Sequence, residues 1–175
     1  IQYGGIPPAS KLCLNHIKWN PDGTRFLFFC HEAGAYGRLF AYTAAADGTD
    51  IRPLAGRPSH YAWRDAGHAL VYSRGAFRLF ADDGSCRGEI AWQAPDGHPA
   101  FLPGRDRVVA DTYPQGWARE QALYLRDIAA GRTIDLGRFP SPSAYTGEWR
   151  CDLHPRVSPD GSLVAIDSAH EGNVR

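Results

Sequence analysis

HIKWNPDGTRFLFF (His16–Phe29), HYAWRDAGHALVYS (His60–Ser73), HPAFLPGRDRVVAD (His98–Asp111) and HPRVSPDGSLVAID (His154–Asp167) align without a gap. Each opens on a histidine and holds Trp19, Trp63, Phe101 or Val157 at its fourth place, a position read as core packing between neighbouring units. Each then passes a polar turn, such as Asn20-Pro21-Asp22-Gly23 or Ser158-Pro159-Asp160-Gly161, and runs into an apolar stretch around Phe26, Leu70, Val108 or Val164. Proline presets φ and glycine accepts φ > 0, so each unit reads as strand, reversal, strand. Successive histidines lie 44, 38 and 56 residues apart. Self-similarity at such a period marks a repeat architecture.

Working outward, Gly37–Thr43, Gly75–Ala81 and Ala122–Arg126 alternate apolar and polar residues and read as third strands. Asp47-Gly48, Asp83-Gly84 and Ala130-Gly131 mark the next turns, and Ile51–Leu54, Arg87–Trp92 and Arg132–Leu136 fit short fourth strands. Four antiparallel strands per unit of about 40 residues describe a β-propeller blade. The expected fold is therefore all-β, a β-propeller, with blades over 11–56, 57–94, 95–148 and 149–175. First strands are expected near Ile17–Trp19, Tyr61–Trp63, Pro99–Phe101 and Pro155–Val157. The last blade stops where its third strand should begin. That predicts a fragment of about four blades of a larger ring, since propellers close with about 4–8 blades and an open arc leaves unpaired strand edges.

Composition narrows the function classes. Nineteen Lys and Arg balance 19 Asp and Glu, so no broad basic field is expected for nucleic acid or an anionic membrane. No apolar run approaches the length of about 18 residues that a transmembrane helix needs. Glycine (19) and proline (13) suit many short strands and tight turns. The four cysteines form no CxxC pair, which argues against a zinc ribbon or a redox motif and predicts buried free thiols. The cytoplasm is the expected compartment, with the periplasm as alternative.

First strands of a propeller line its central channel, so His16, His60, His98 and His154 should converge on one mouth. Imidazole is a common neutral metal ligand and general base, and three histidines around one axis form an open metal site. The loops after the second strands face the same mouth: Cys30-His31-Glu32-Ala33-Gly34, Asp111-Thr112-Tyr113-Pro114 and Asp167-Ser168-Ala169-His170-Glu171-Gly172. The alternative use of the histidines is hydrogen bonding to backbone between adjacent blades.

The runs Asn15–Gly23, Phe28–Gly34 and Arg38–Phe40, followed by His60-Tyr61-Ala62-Trp63, resemble the oligogalacturonate lyases. Those are seven-bladed propellers that hold manganese through three histidines and a glutamine and use a further histidine as base. The resemblance implies His16 as the base and His60 as a ligand. The family carries a Q-x-x-H-x-H cluster where this chain has Pro95-Asp96-Gly97-His98-Pro99-Ala100, so His98 is kept while the glutamine and second histidine are replaced. By repeat symmetry His154 fills the vacant place.

The reading that follows is a carbohydrate-active propeller, a metal-dependent lyase that cleaves oligogalacturonate-type substrates by β-elimination. Mn²⁺ is the expected cofactor and an oligouronate or other acidic oligosaccharide the expected ligand. His16 would be catalytic, and His60, His98 and His154 would hold the metal. His31, Tyr113, Arg150, Arg156 and His170 would contact substrate. The alternative is a non-catalytic TolB-like propeller that binds a protein or sugar partner at the channel mouth.

Overall fold

The computed structural model describes residues 11–32, 38–89 and 95–171. It is all-β, and no described helix is long and apolar enough to cross a membrane. The first antiparallel sheet contains β1 (Leu12–Trp19), β2 (Arg25–Glu32), β3 (Leu39–Ala45) and β4 (Arg52–Gly56), in that spatial order. The second contains β5 (Pro58–Asp65), β6 (His68–Ser73), β7 (Ala76–Ala81) and β8 (Cys86–Glu89), again in order. The third contains β9 (Pro99–Phe101), β10 (Arg107–Asp111), β11 (Glu120–Asp127) and β12 (Arg132–Pro140). A single 3₁₀ turn at Gly147–Trp149 leads to the pair β13 (Arg156–Val157) and β14 (Val164–Ala165). The expected strand residues at Gly37 and 90–92, and the loop residues Ala33, Gly34 and Gly172, lie outside the described residues.

The turns form as the sequence predicts. Gly23 sits at φ 72° and donates its N–H to the Asn20 carbonyl at 3.1 Å, while Asp22 accepts from the Thr24 N–H at 3.0 Å. The last repeat copies this: Gly161 at φ 71° bonds back to Ser158 at 2.8 Å, and Asp160 accepts from the Ser162 N–H. Glycine takes this left-handed conformation without the steric cost a Cβ brings.

Successive sheets pack face to face, and the period of two along each strand explains how. Val71 joins Leu27, Phe29, Trp63 and Phe80 in a core between the first and second sheets. Its neighbour Leu70 points the other way, meeting Phe77, Val108, Ala110 and Tyr124 between the second and third. Val109, next to Val108, joins Leu123 and Leu153, with Val157 and Ile166 packed alongside. Each fully buried Leu, Val or Phe in these layers contributes roughly 1.5–3 kcal/mol of transfer free energy.

Two expectations are corrected. Trp63 is buried, but its repeat equivalent Trp19 is 51% exposed. It opposes Phe26 on the side of the first sheet that faces away from the second, and no described sheet covers that side. All four cysteines are free, yet Cys13 and Cys86 are exposed and Cys151 alone is buried.

Candidate functional site

The four repeat histidines form a continuous row. Ring centroids are 6.2 Å apart for His16 and His60, 4.1 Å for His60 and His98, and 4.0 Å for His98 and His154. The row crosses all four sheets because each sheet supplies one histidine from, or just ahead of, its first strand.

Local irregularity aims the rings. The β1–β2 register shifts between Asn15 and Lys18, which places His16 in a bulge, and the β5–β6 register shifts between Pro58 and Tyr61, around His60. A bulge bends its strand and re-aims a side chain, and bulges are frequent beside functional sites. These two histidines therefore lie inside strands, whereas His98 and His154 precede β9 and β13. His16 and His154 have φ of 54° and 41°. A non-glycine residue in this region costs on the order of 1–3 kcal/mol, and such strain clusters where function demands a geometry.

Carboxylates and carbonyls then fix which ring nitrogen carries the proton. His60 Nδ1 lies 3.0 Å from Asp96 Oδ1, and Ser59 donates to the other Asp96 oxygen at 2.5 Å. His98 Nδ1 is 3.0 Å from both oxygens of Asp111. His154 Nδ1 is 3.1 Å from the Asp152 carbonyl, and His16 Nδ1 is 2.9 Å from Asn15 Oδ1. Each of these oxygens can only accept, so each Nδ1 donates and each neutral ring keeps its lone pair on Nε2. A ring held in this way by an outer carboxylate is the usual support for an imidazole metal ligand.

Asp111 is the hub. It is fully buried (0% exposed) and also accepts the backbone N–H groups of His98 at 2.5 Å and His154 at 3.0 Å, joining the third sheet to the fourth. Room for it depends on Gly97, because a Cβ there would overlap the Asp111 carbonyl and crowd its Oδ1. Gly97→Ala is expected to destabilise the protein by about 1–3 kcal/mol through that overlap. Urea unfolding checks it, and an unchanged midpoint would mean the approach is not required.

The remaining candidates divide into two groups. Tyr113 joins the row: its ring lies 5.9 Å from His60 and 5.8 Å from His98, and its hydroxyl lies 3.3 Å from His60 Nε2. Burial, with the nearby Asp96 and Asp152 charges, pushes its pKa up to about 12, so the phenol stays protonated and donates. Arg150 stacks over that ring at 4.4 Å and binds Asp152 through Nε at 2.7 Å and Nη2 at 2.9 Å. Arg156 reaches the row through Asp167: it binds Asp167 Oδ2 at 2.7 Å, and that oxygen is 4.0 Å from His154 Nδ1. His31 stands exposed at the end of β2, opposite Cys13 and Leu39. His170 is exposed beside Phe139, its ring nitrogen on Ser168 Oγ at 2.7 Å.

Two clefts meet at His98. One, of ≈ 230 Å³, is lined by His16, His60, Tyr61 and His98; the other, of ≈ 360 Å³, by His98, His154, Arg156 and Asp167. A wider hollow of ≈ 570 Å³ between Thr112, Glu120, Tyr124 and Arg138 touches none of the histidines. Among the described residues, His98, Asp152 and His154 offer metal-ligating atoms that all lie within 4.8 Å of one another.

Asp111 and Asp167 were findable, since both end their repeats at the fourteenth position. In the first repeat that place is Phe29, which stacks under His16 at 4.8 Å. The pairing of His60 with Asp96 and the meeting of Arg150 with Tyr113 had no such signal. No protein-family model matches the chain, and no curated protein shows significant similarity to its sequence.

Proposed function

We propose that the chain is part of a β-propeller resembling the oligogalacturonate lyases, and that its histidine row is a metal-dependent site for β-elimination on a uronate-containing oligosaccharide. The face-to-face stacking of sheets built in sequence order supports the propeller reading. The observation that carries the chemistry is the set of Nδ1 hydrogen bonds, which leaves the Nε2 lone pairs of His98 and His154 available and that of His60 engaged only by the Tyr113 hydroxyl, a donor the cation would displace. Neutral imidazoles suit Zn²⁺ and a neighbouring carboxylate oxygen suits Mn²⁺, so the mixed set accommodates a divalent cation of either kind.

In this reading His60, His98 and His154 hold the cation. When bound, it supplies Lewis-acid stabilisation of the negative charge that develops on a uronate carboxylate. His16 takes the C5 proton through Nε2. Burial, and then the proximity of His60 and His98, lower its pKa below the ordinary 6.5, which keeps the ring neutral and able to accept near pH 7. The C4–O bond then breaks, the electron pair leaves with the glycosidic oxygen, and a 4,5-unsaturated uronate end forms. Tyr113 lies beside both His60 and His98, and Arg150 rests on its ring, where a guanidinium can pair bidentately with a second carboxylate.

Metal content tests the reading. The intact protein is expected to retain one divalent ion per chain, His98→Ala to lose it, and His31→Ala to keep it. Elemental analysis after dialysis reads this directly.

The same hydrogen bonds favour a second reading. Asp111 ties His98 to the backbone of His154, so the row also serves as a staple between sheets. A propeller using its histidines only in that way would be a binding module without metal. It would lose stability, and no ion, on His98→Ala.

A further inference from the structure

Asp152 is 7% exposed, and its carboxylate accepts two parallel hydrogen bonds from Arg150 and a long one, 3.5 Å, from the buried Gln121 amide. Its carboxylate also lies within 4.8 Å of ligand atoms of His98 and His154. These two facts conflict for any cation at that position. A divalent ion bound by the carboxylate would face a guanidinium at the distance of one hydrogen bond, and like charges at such range in a half-buried site repel strongly. Arg150 itself is mobile in principle: its side chain is 39% exposed and rests on the Tyr113 ring, a platform that holds a cation without fixing its in-plane orientation.

Resting on the metal reading above, we propose that Asp152 is an anionic ligand which Arg150 keeps closed, and that a carboxylate-bearing ligand opens it by taking over the guanidinium. The incoming carboxylate offers Arg150 the same bidentate geometry that Asp152 gives it. Asp152, buried and released from its partner, then has free lone pairs beside His98 and His154. A buried carboxylate left with one long hydrogen bond from a neutral amide in place of its ion pair is costly, and that cost is relieved when a cation binds. The cation and the acidic ligand therefore promote each other's binding, and by linkage the enhancement is equal in both directions.

The test is the affinity of Mn²⁺ for the intact protein, read from the electron paramagnetic resonance of free Mn²⁺, with and without saturating galacturonate monomer. Wild type is expected to bind Mn²⁺ about 5–150-fold more tightly when galacturonate is present, the usual span of such coupling. Arg150→Gln is expected to bind Mn²⁺ about tenfold more tightly than wild type in the absence of galacturonate, and to show no further enhancement from it. In an Asp152→Asn background the Arg150→Gln change should shift Mn²⁺ affinity by less than about twofold, since a cycle isolates the pair. Thermal unfolding confirms that the variants are folded. Should Asp152→Asn fail to fold, the loss of galacturonate enhancement in Arg150→Gln still decides the matter. Unchanged or weaker Mn²⁺ binding by Arg150→Gln overturns the proposal while leaving the metal reading in place. A tightening that persists in the Asp152→Asn background also overturns it, because Arg150 would then act on the ion directly. No Mn²⁺ binding by wild type overturns both.

Discussion

Asp111→Ala is expected to lower the stability of the intact protein by about 3–5 kcal/mol, a large share of what a domain of this size has to lose. The side chain is fully buried and accepts from His98 N–H, His98 Nδ1 and His154 N–H. Alanine leaves three donors on half-buried residues without their acceptor, each costing up to about 1–3 kcal/mol, and removes the bond between the third and fourth sheets. The effect also reaches the site. Freed from Asp111, the His98 ring can turn and carry its proton on either nitrogen, so metal affinity should fall about 10–100-fold. Asp111→Asn separates the two consequences: it keeps one acceptor oxygen and the side-chain volume, but turns an N–H₂ toward the donors. Chemical denaturation and metal titration on both variants check this. A loss below about 1 kcal/mol for Asp111→Ala would show that water replaces the carboxylate.

His16→Ala is expected to reduce the rate of unsaturated-product formation by about 10²–10⁴-fold, the usual contribution of a general base, with metal content unchanged. His16 is the end of the row, 6.2 Å from His60. Its ring is held by Phe29 and by the Asn15 side chain, so truncation removes the proton acceptor without disturbing the other rings. The pH dependence carries the same signature. A lowered pKa means that His16 stays neutral somewhat below pH 6.5 and that activity is lost as pH falls through that lowered value. The variant should lack this acid limb. If His16→Ala strips the metal instead, His16 is a ligand and not the base.

Much of the fold is legible in the chain because the physics is local. A Pro-Asp-Gly or Ser-Pro-Asp-Gly segment reverses the backbone wherever it stands, and alternation along β6 and β10 sends Leu70 and Val71, or Val108 and Val109, into different cores. The alignment of four histidines foretold that they share a structural position. It could not foretell their directions, because the bulges at His16 and His60 depend on register with a partner strand. Burial of Asp111 was likewise hidden: an aspartate closing a strand looks the same whether it meets solvent or a histidine. The Arg150–Asp152 pair is close in sequence and was within view, but its meeting with Tyr113 joins segments 37 residues apart that no pattern connects. Trp19 misled for the same reason, since its burial depends on what lies against the far side of the first sheet.

The most direct measurement is the absorbance of the unsaturated uronate end, followed while the intact protein acts on an oligogalacturonate. Product should accumulate with Mn²⁺ present, stop after chelation, and resume when the ion is restored. Absence of unsaturated product from every uronate oligomer tried, or product formation that chelation leaves untouched, would contradict the assignment of the histidine row as a metal-dependent elimination site.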